Sequence, residues 1–319
     1  MSAAITFGPV PSRRLGRSLG INNIVAPKVC SYACVYCQVG KTAVHTLERQ
    51  PFYGPEEIFN QVRNHLKRSD GEDQPDYLTF VANGEPTLDT NLGATIRRLK
   101  IFDIPIAVIT NATLLHIPEV VQSLLEADWV SVKVDAADET TWRRVNLPVK
   151  EINFALQLQS IAAFARRFGG KLCTETMLVS GRNDAGHQLE TTARFVASIK
   201  PAVAYLSVPT RPPAVRLTKA PDEEVLNHAW NLFNQAGINT ELLTGFEGTT
   251  TGYTGNAEAD ILSITAVHPL RHDMLEELLI NDNAPAGILE KLLDEGSIKA
   301  IHYNSHTFYL RSLKKRSKK

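Results

Sequence analysis

Between residues 18 and 235 short apolar runs alternate with longer amphipathic stretches, and this alternation restricts the fold more than any other feature of the chain. Runs at 18–25, 77–82, 104–110, 129–135, 172–179 and 203–208 read as strands. Stretches at 55–67, 90–99, 117–126, 152–168, 184–199 and 222–235 read as helices, with a short one near 139–144. The first shows the pattern: Ile58, Phe59, Val62 and Leu66 recur at helical spacing, and Gly169-Gly170 stops the 152–168 helix. Strands separated by helices pair in parallel through right-handed crossovers. Six units fall short of the eight that close a (β/α)8 cylinder. The expected class is therefore α/β, an open partial (β/α)6 TIM-like barrel.

The fourth strand shows which face turns inward. Val130, Val132 and Val134 share one face; Ser131, Lys133 and Asp135 share the other. Helices should cover the valines, which leaves a polar lumen suited to a substrate cavity. In such barrels chemistry sits at the C-terminal strand ends. Asp135 is thus a candidate ribose or substrate contact, and with Lys133 it is equally a candidate buried ion pair. Glu175 is a third lumen candidate. Cys173, on the same face of its strand, is either a small buried thiol or a radical relay or fourth ligand. Arg211, in Pro209-Thr-Arg-Pro-Pro213, is a candidate for a substrate anion. So are Arg13, Arg14 and Arg17, unless they belong to a solvated, turn-rich lead-in.

Three of the four cysteines fall in Cys30-Ser-Tyr-Ala-Cys34-Val-Tyr36-Cys37, a C-x3-C-x2-C spacing after the first strand. Three thiolates on one loop can hold one metal centre but do not complete a four-ligand zinc site or an ordinary electron-transfer cluster. A [4Fe–4S] cluster held by three would keep one iron open. The other readings are a zinc knuckle completed by His45 and an incidental cysteine-rich turn.

C-x3-C-x-aromatic-C, with Tyr36 at the aromatic position, resembles the signature of the radical S-adenosylmethionine (SAM) superfamily. The resemblance implies that Cys30, Cys34 and Cys37 bind three irons of a [4Fe–4S] cluster and that SAM chelates the fourth. Reductive cleavage of SAM would then yield a 5′-deoxyadenosyl radical for hydrogen abstraction. Tyr36 would pack near the adenine. Asn83-Gly84-Glu85-Pro86-Thr87, about 45 residues on, resembles the family's G-E-P motif, which implies that Gly84, Glu85 and Pro86 offer backbone polar groups to the SAM amino group. Asn111, at the end of the third strand, either lines the SAM site or caps the next turn. The fifth-strand region, 172–181, resembles the family's adenine-packing strand but departs from its glycine-rich pattern. The opening segment, 8–20, resembles the wyosine-synthetase-like Fe–S oxidoreductases, which implies a tRNA nucleoside as a substrate class. With no second cysteine cluster and no flavodoxin-like domain in the chain, an external electron donor of the flavodoxin or ferredoxin type is implied.

The last residues form a separate unit. Helices are expected at 271–280 and 284–294, the second capped by Asn283, followed by strands 297–303 and 307–310 joined across Asn304-Ser305. This order resembles a winged-helix domain. Glu290, Asp294 and Glu295 against one Lys291 would repel phosphates, which argues against DNA reading and favours a protein contact or substrate presentation. The expected layout is a barrel at 1–244, a Gly/Thr-rich linker at 245–259 and the winged-helix-like unit at 260–319. No Lys stands in the P-loop position after the glycines. The basic tail from Arg311 is either a solvated tail or a weak RNA-binding one.

Charge is balanced, 34 basic against 34 acidic residues, so no global field draws in nucleic acid. No apolar run reaches the roughly 20 residues of a membrane span. The first residues lack signal-peptide character, and clustered thiols fit a reducing cytoplasm. A different class of function is also open: an Fe–S redox-sensing regulator with a winged-helix output.

Overall fold

The computed structural model describes residues 5–68, 74–245 and 252–312. Its strands in chain order are β1 (Thr6–Ser12), β2 (Gly16–Ile21), β3 (Val29–Cys30), β4 (Val44–His45), β5 (Tyr77–Phe80), β6 (Ile106–Thr110) and β7 (Trp129–Lys133). They continue with β8 (Lys171–Met177), β9 (Val203–Ser207), β10 (Thr240–Leu243), β11 (Leu270–Arg271), β12 (Ile298–Tyr303) and β13 (His306–Arg311). The helices are α1 (Pro55–Arg68), α2 (Leu92–Leu99), α3 (Pro118–Leu124), α4 (Glu139–Asn146) and α5 (Phe154–Arg167). After them come α6 (Gly186–Ile199), α7 (Glu223–Gln235), α8 (Ala257–Ile264), α9 (His272–Asn281) and α10 (Ile288–Asp294).

One curled sheet carries eight strands in the order β1-β2-β5-β6-β7-β8-β9-β10. All neighbours are parallel except β1, which runs antiparallel to β2. This is the expected partial TIM-like barrel with two further strands. β10 is only four residues long and follows Gly237 closely. β1 contains Pro9 and Pro11, which read as turn residues. An edge strand accepts proline because one of its sides has no partner to satisfy.

Alternation sorts the side chains as the sequence predicts. Val130, Val132 and Val134 enter the main core with Ile161, Phe164 and Val196 from the covering helices. The opposite face turns into the lumen. There Leu15, Ala107, Trp129, Cys173, Val203, Tyr205 and Leu243 form an apolar cluster, and Lys133 and Glu175 stand above it.

The C-terminal elements form a sheet in the order β11-β13-β12 with α8, α9 and α10 against it. Phe7 and Val10 of β1 share a core with Ile261, Leu270, Met274, Leu275 and Leu278. The β12–β13 hairpin turns on Asn304 and Ser305, both left-handed (φ 46° and 62°), as a tight two-residue turn demands. One expectation is corrected. Asn283 does not begin a helix; at φ 47° it ends α9, with the Ala284 N–H donated to the Leu279 carbonyl. α10 begins only at Ile288, after Gly287 at φ 84°. Within the expected linker, residues 246–251 lie outside the described residues, as does the basic tail from 313 onward.

Candidate functional site

The cysteine loop is fixed to the sheet by the turn after β5. Val29 N–H donates to the Asn83 carbonyl at 3.2 Å, and Glu85 N–H donates to the Val29 carbonyl at 3.1 Å. Gly84 sits between them at φ 143°, and a Cβ there would lie 1.6 Å from the Val29 oxygen. Glycine is therefore required for the approach of the cysteine-bearing strand itself. Pro86 opens a single 3-10 turn and offers its carbonyl to Asn23 Nδ2. The Glu85 carboxylate, 2% exposed, accepts from Thr87 N, Thr87 Oγ1, Thr110 Oγ1 and Asn111 N at 2.6–3.1 Å. It ties the ends of β5 and β6 together. Burial holds its pKa above the usual carboxylate value despite these donors.

Each cysteine sulfur meets a donor. Cys30 accepts from Tyr32 N at 3.4 Å and Asn111 Nδ2 at 3.7 Å. Cys34 accepts from Asn146 Nδ2 at 3.5 Å. Cys37 accepts from Lys28 Nζ at 2.9 Å. Burial raises the Cys30 thiol pKa and pushes Cys34 up to about 11. Burial works to lower Lys28, but the sulfurs of Cys37 and Cys30 outweigh it and the pKa is raised. Among the described residues no three His, Cys, Asp or Glu side chains converge on a single-ion site. His45 is exposed, its Nε2 on the Ser31 carbonyl.

Asn111 caps the turn after β6, one of the two roles expected of it. Its Oδ1 caps Thr113 while its Nδ2 turns to Ser31 and Cys30. Tyr36 donates its hydroxyl to Asp135 Oδ2, and the same oxygen accepts from Asn146 Nδ2 at 2.6 Å. Asp135 Oδ1 accepts from Met177 N at 2.8 Å. Asp135 therefore anchors the aromatic residue of the cysteine loop to β7 and β8. Lys133 does not pair with it. Lys133 Nζ donates to Glu175 Oε1 at 2.8 Å and lies 5.0 Å from the Tyr36 ring centre.

Glu175 also accepts from Arg14 on its other oxygen and from Ser207 Oγ at 3.1 Å. Burial would raise its pKa; Lys133 and Arg14 overcome that and bring it down to about 2. Of the three clustered arginines only Arg14 is seen entering the lumen. Arg13 reaches across to the carbonyls of Leu242 and Gly245 beside the far edge strand, and the Arg17 backbone binds Asp76. Cys173 is 0% exposed in the apolar lumen cluster, apart from the cysteine loop.

One cleft of about 130 Å³ is lined by all three loop cysteines together with Lys28, Tyr36, Gly84, Glu85, Asn111 and Lys133. Pro86, Asp135 and Glu175 are not among its lining residues. A larger cleft of about 330 Å³ lies between the end of the barrel and the C-terminal unit. Of the candidate site residues named from sequence, Arg211 lines it, and Arg211 also donates to Gln38 beside Cys37. Lys28, Asn146 and the Arg14–Glu175 pair have no motif of their own. Arg14 and Glu175 are each singled out from sequence but not as partners; for Lys28 the usable signal is a lysine two residues before a thiolate cluster.

The family model described as the radical SAM superfamily matches residues 24–196, and the chain belongs to that superfamily. It is an enzyme, and its cofactors are a [4Fe–4S] cluster and SAM. UPF0026 protein MJ1312 of Methanocaldococcus jannaschii is 44% identical over 316 residues, 98% of each chain. Two solved structures share the fold at low identity. A radical SAM methyltransferase from Sphaerobacter thermophilus has a TM-score of 0.53 at 16% identity, over 71% of this chain and 66% of that one. SuiB of Streptococcus suis, bound to S-adenosylmethionine, has a TM-score of 0.52 at 13% identity, over 72% of this chain and 51% of that one. No helix among the described residues is long and apolar enough to cross a membrane.

Proposed function

We propose that Cys30, Cys34 and Cys37 hold the cluster and that SAM occupies the cleft they share with Gly84, Glu85, Asn111 and Lys133. The observation that carries this reading is the common cleft: three sulfurs from one loop and the turn after β5 face the same space. Three cysteines on one loop leave a zinc site one ligand short, which supports a cluster with one open iron over a single zinc ion. Once bound, the cluster and SAM supply reductive cleavage and a 5′-deoxyadenosyl radical. The chain's own residues supply position. Glu85 fixes the strand ends, Tyr36 is held by Asp135 and Asn146, and the buried lumen beneath excludes water.

The substrate enters from the C-terminal mouth, and we assign it to a macromolecule, a tRNA nucleoside or a protein side chain. We read 260–319 as a winged-helix-like unit that presents it. In support, this unit borders the cysteine loop, where Gln38 Nε2 donates to the Val267 carbonyl at 3.3 Å, and the loop after β9, where Tyr303 Oη donates to the Pro209 carbonyl at 3.2 Å. The electron comes from an external donor of the flavodoxin or ferredoxin type, in a reducing cytoplasm.

The test is anaerobic. Reconstituted protein given dithionite and SAM should release 5′-deoxyadenosine, and Cys34→Ala should release none. A wild-type cluster that is reduced but never cleaves SAM, with bulk tRNA and cell extract present, would overturn the reading. Cluster-dependent duplex DNA binding would then favour the redox-sensing regulator.

A further inference from the structure

We propose that Lys28 sets the reduction potential of the cluster by holding its ammonium against the Cys37 sulfur. This rests on the reading that the three loop cysteines are the cluster ligands. Lys28 Nζ lies 2.9 Å from Cys37 Sγ and 2.9 Å from the Gly40 carbonyl. The residue is 3% exposed, yet it lines the same cleft as the three sulfurs. Its own carbonyl accepts from Ala43 N and Val44 N, each at 3.0 Å. Both ends of Lys28 are thus fastened to the segment that follows Cys37.

The three sulfurs are not equivalent. Cys30 and Cys34 meet neutral donors, a backbone N–H and two asparagine amides. Among the described residues Cys37 is the loop cysteine whose sulfur accepts a hydrogen bond directly from a cation. A buried ammonium loses its hydration and persists only against a negative partner. The side-chain acceptors of Lys28 are a sulfur and a carbonyl, with no carboxylate among them. The sulfur is therefore its counter-charge. A cluster with three thiolates is anionic, and one electron from the external donor makes it more so. A fixed cation at one ligand stabilises the reduced form more than the oxidised form, and hydrogen bonds to ligand sulfur act in the same direction. Lys28 therefore makes the cluster easier to reduce.

The experiment compares wild type, Lys28→Met, Lys28→Gln, Lys28→Arg and Thr42→Val after anaerobic reconstitution. Thr42→Val removes another tie of the loop, the 2.8 Å bond from Thr42 Oγ1 to the Tyr32 carbonyl, without changing charge. Iron and sulfide are assayed, and the reduced-cluster signal is followed by electron paramagnetic resonance during a redox titration. Both neutral variants should keep the cluster and titrate at a more negative potential. Their ratio of reduced to oxidised cluster at the wild-type midpoint should fall roughly tenfold, which for one electron is about 59 mV. Lys28→Arg and Thr42→Val should stay near wild type. An unmoved midpoint in the neutral variants would overturn the proposal, as would an equal shift in Thr42→Val. Failure of both neutral variants to load a cluster would make Lys28 an assembly residue and equally overturn it. A full cluster in Cys37→Ala would instead overturn the ligand reading, which keeps the two failures apart.

Discussion

The lower and upper halves of the barrel lumen are lined by the same strands, yet one is apolar and the other charged. On β7 the inward face runs from Trp129 to Lys133; on β8 it runs from Cys173 to Glu175. Leu15 and Arg14, neighbours in the β1–β2 turn, divide between the halves. Alternation decides only whether a side chain points in or out. Distance along the strand decides what it meets there. The lower half is packed shut, so it is filled by apolar atoms. The upper half opens toward the cysteine loop, so it can hold two cations around one carboxylate.

The largest way to break this contrast is to discharge the upper half. Glu175→Leu removes the buried carboxylate shared by the half-buried Lys133 and Arg14, and unfolding free energy should fall by roughly 3–5 kcal/mol in denaturant titration. The same pair predicts a pH dependence. The folded pKa of Glu175 lies near about 2, below its ordinary value of 4.5. Its contribution is complete above pH 4.5 and is lost as pH falls toward 2. Stability in Glu175→Gln should lack that acid-side loss.

A smaller effect is expected where the cysteine loop meets the upper half. Gly84→Ala forces a Cβ against the Val29 carbonyl and should cost at least about 2 kcal/mol. Because the displaced segment leads directly to Cys30, iron and sulfide content should fall with it. The smallest change sharpens the contrast from below. Cys173→Ser puts a hydroxyl into the apolar half and should cost about 1–3 kcal/mol, while cluster content and its absorption spectrum stay at wild-type levels. Loss of the cluster in Cys173→Ser would show that the two halves are not separate.

The barrel class and most of the candidate site were legible in the chain. Strand and helix periods recur cleanly from β2 to α7, and Cys30, Cys34, Cys37 and the Gly84-Glu85-Pro86 turn are local motifs. Other features were not legible, for reasons of range and length. β10 is too short to show a period, and β1 reads as a turn because of its prolines. The α10 start was misplaced because Asn283 has equal chemistry for opening a helix and for closing one; only its left-handed φ, set by the α9 carbonyls, distinguishes them.

The sequence by itself determined the alternating α/β order, the inward face of β7 and the three-cysteine loop, because these depend on residues a few positions apart. Tertiary structure alone decided the pairings. Lys133 chose Glu175 over Asp135, 42 positions away rather than two, and Asp135 turned to Tyr36 instead. Arg14 joined from 161 positions away, and Lys28 turned to Cys37. The reason is that a buried charge must find an opposite partner within a few ångströms. Which partner lies that close is fixed by the register of neighbouring strands, which spacing along the chain does not record.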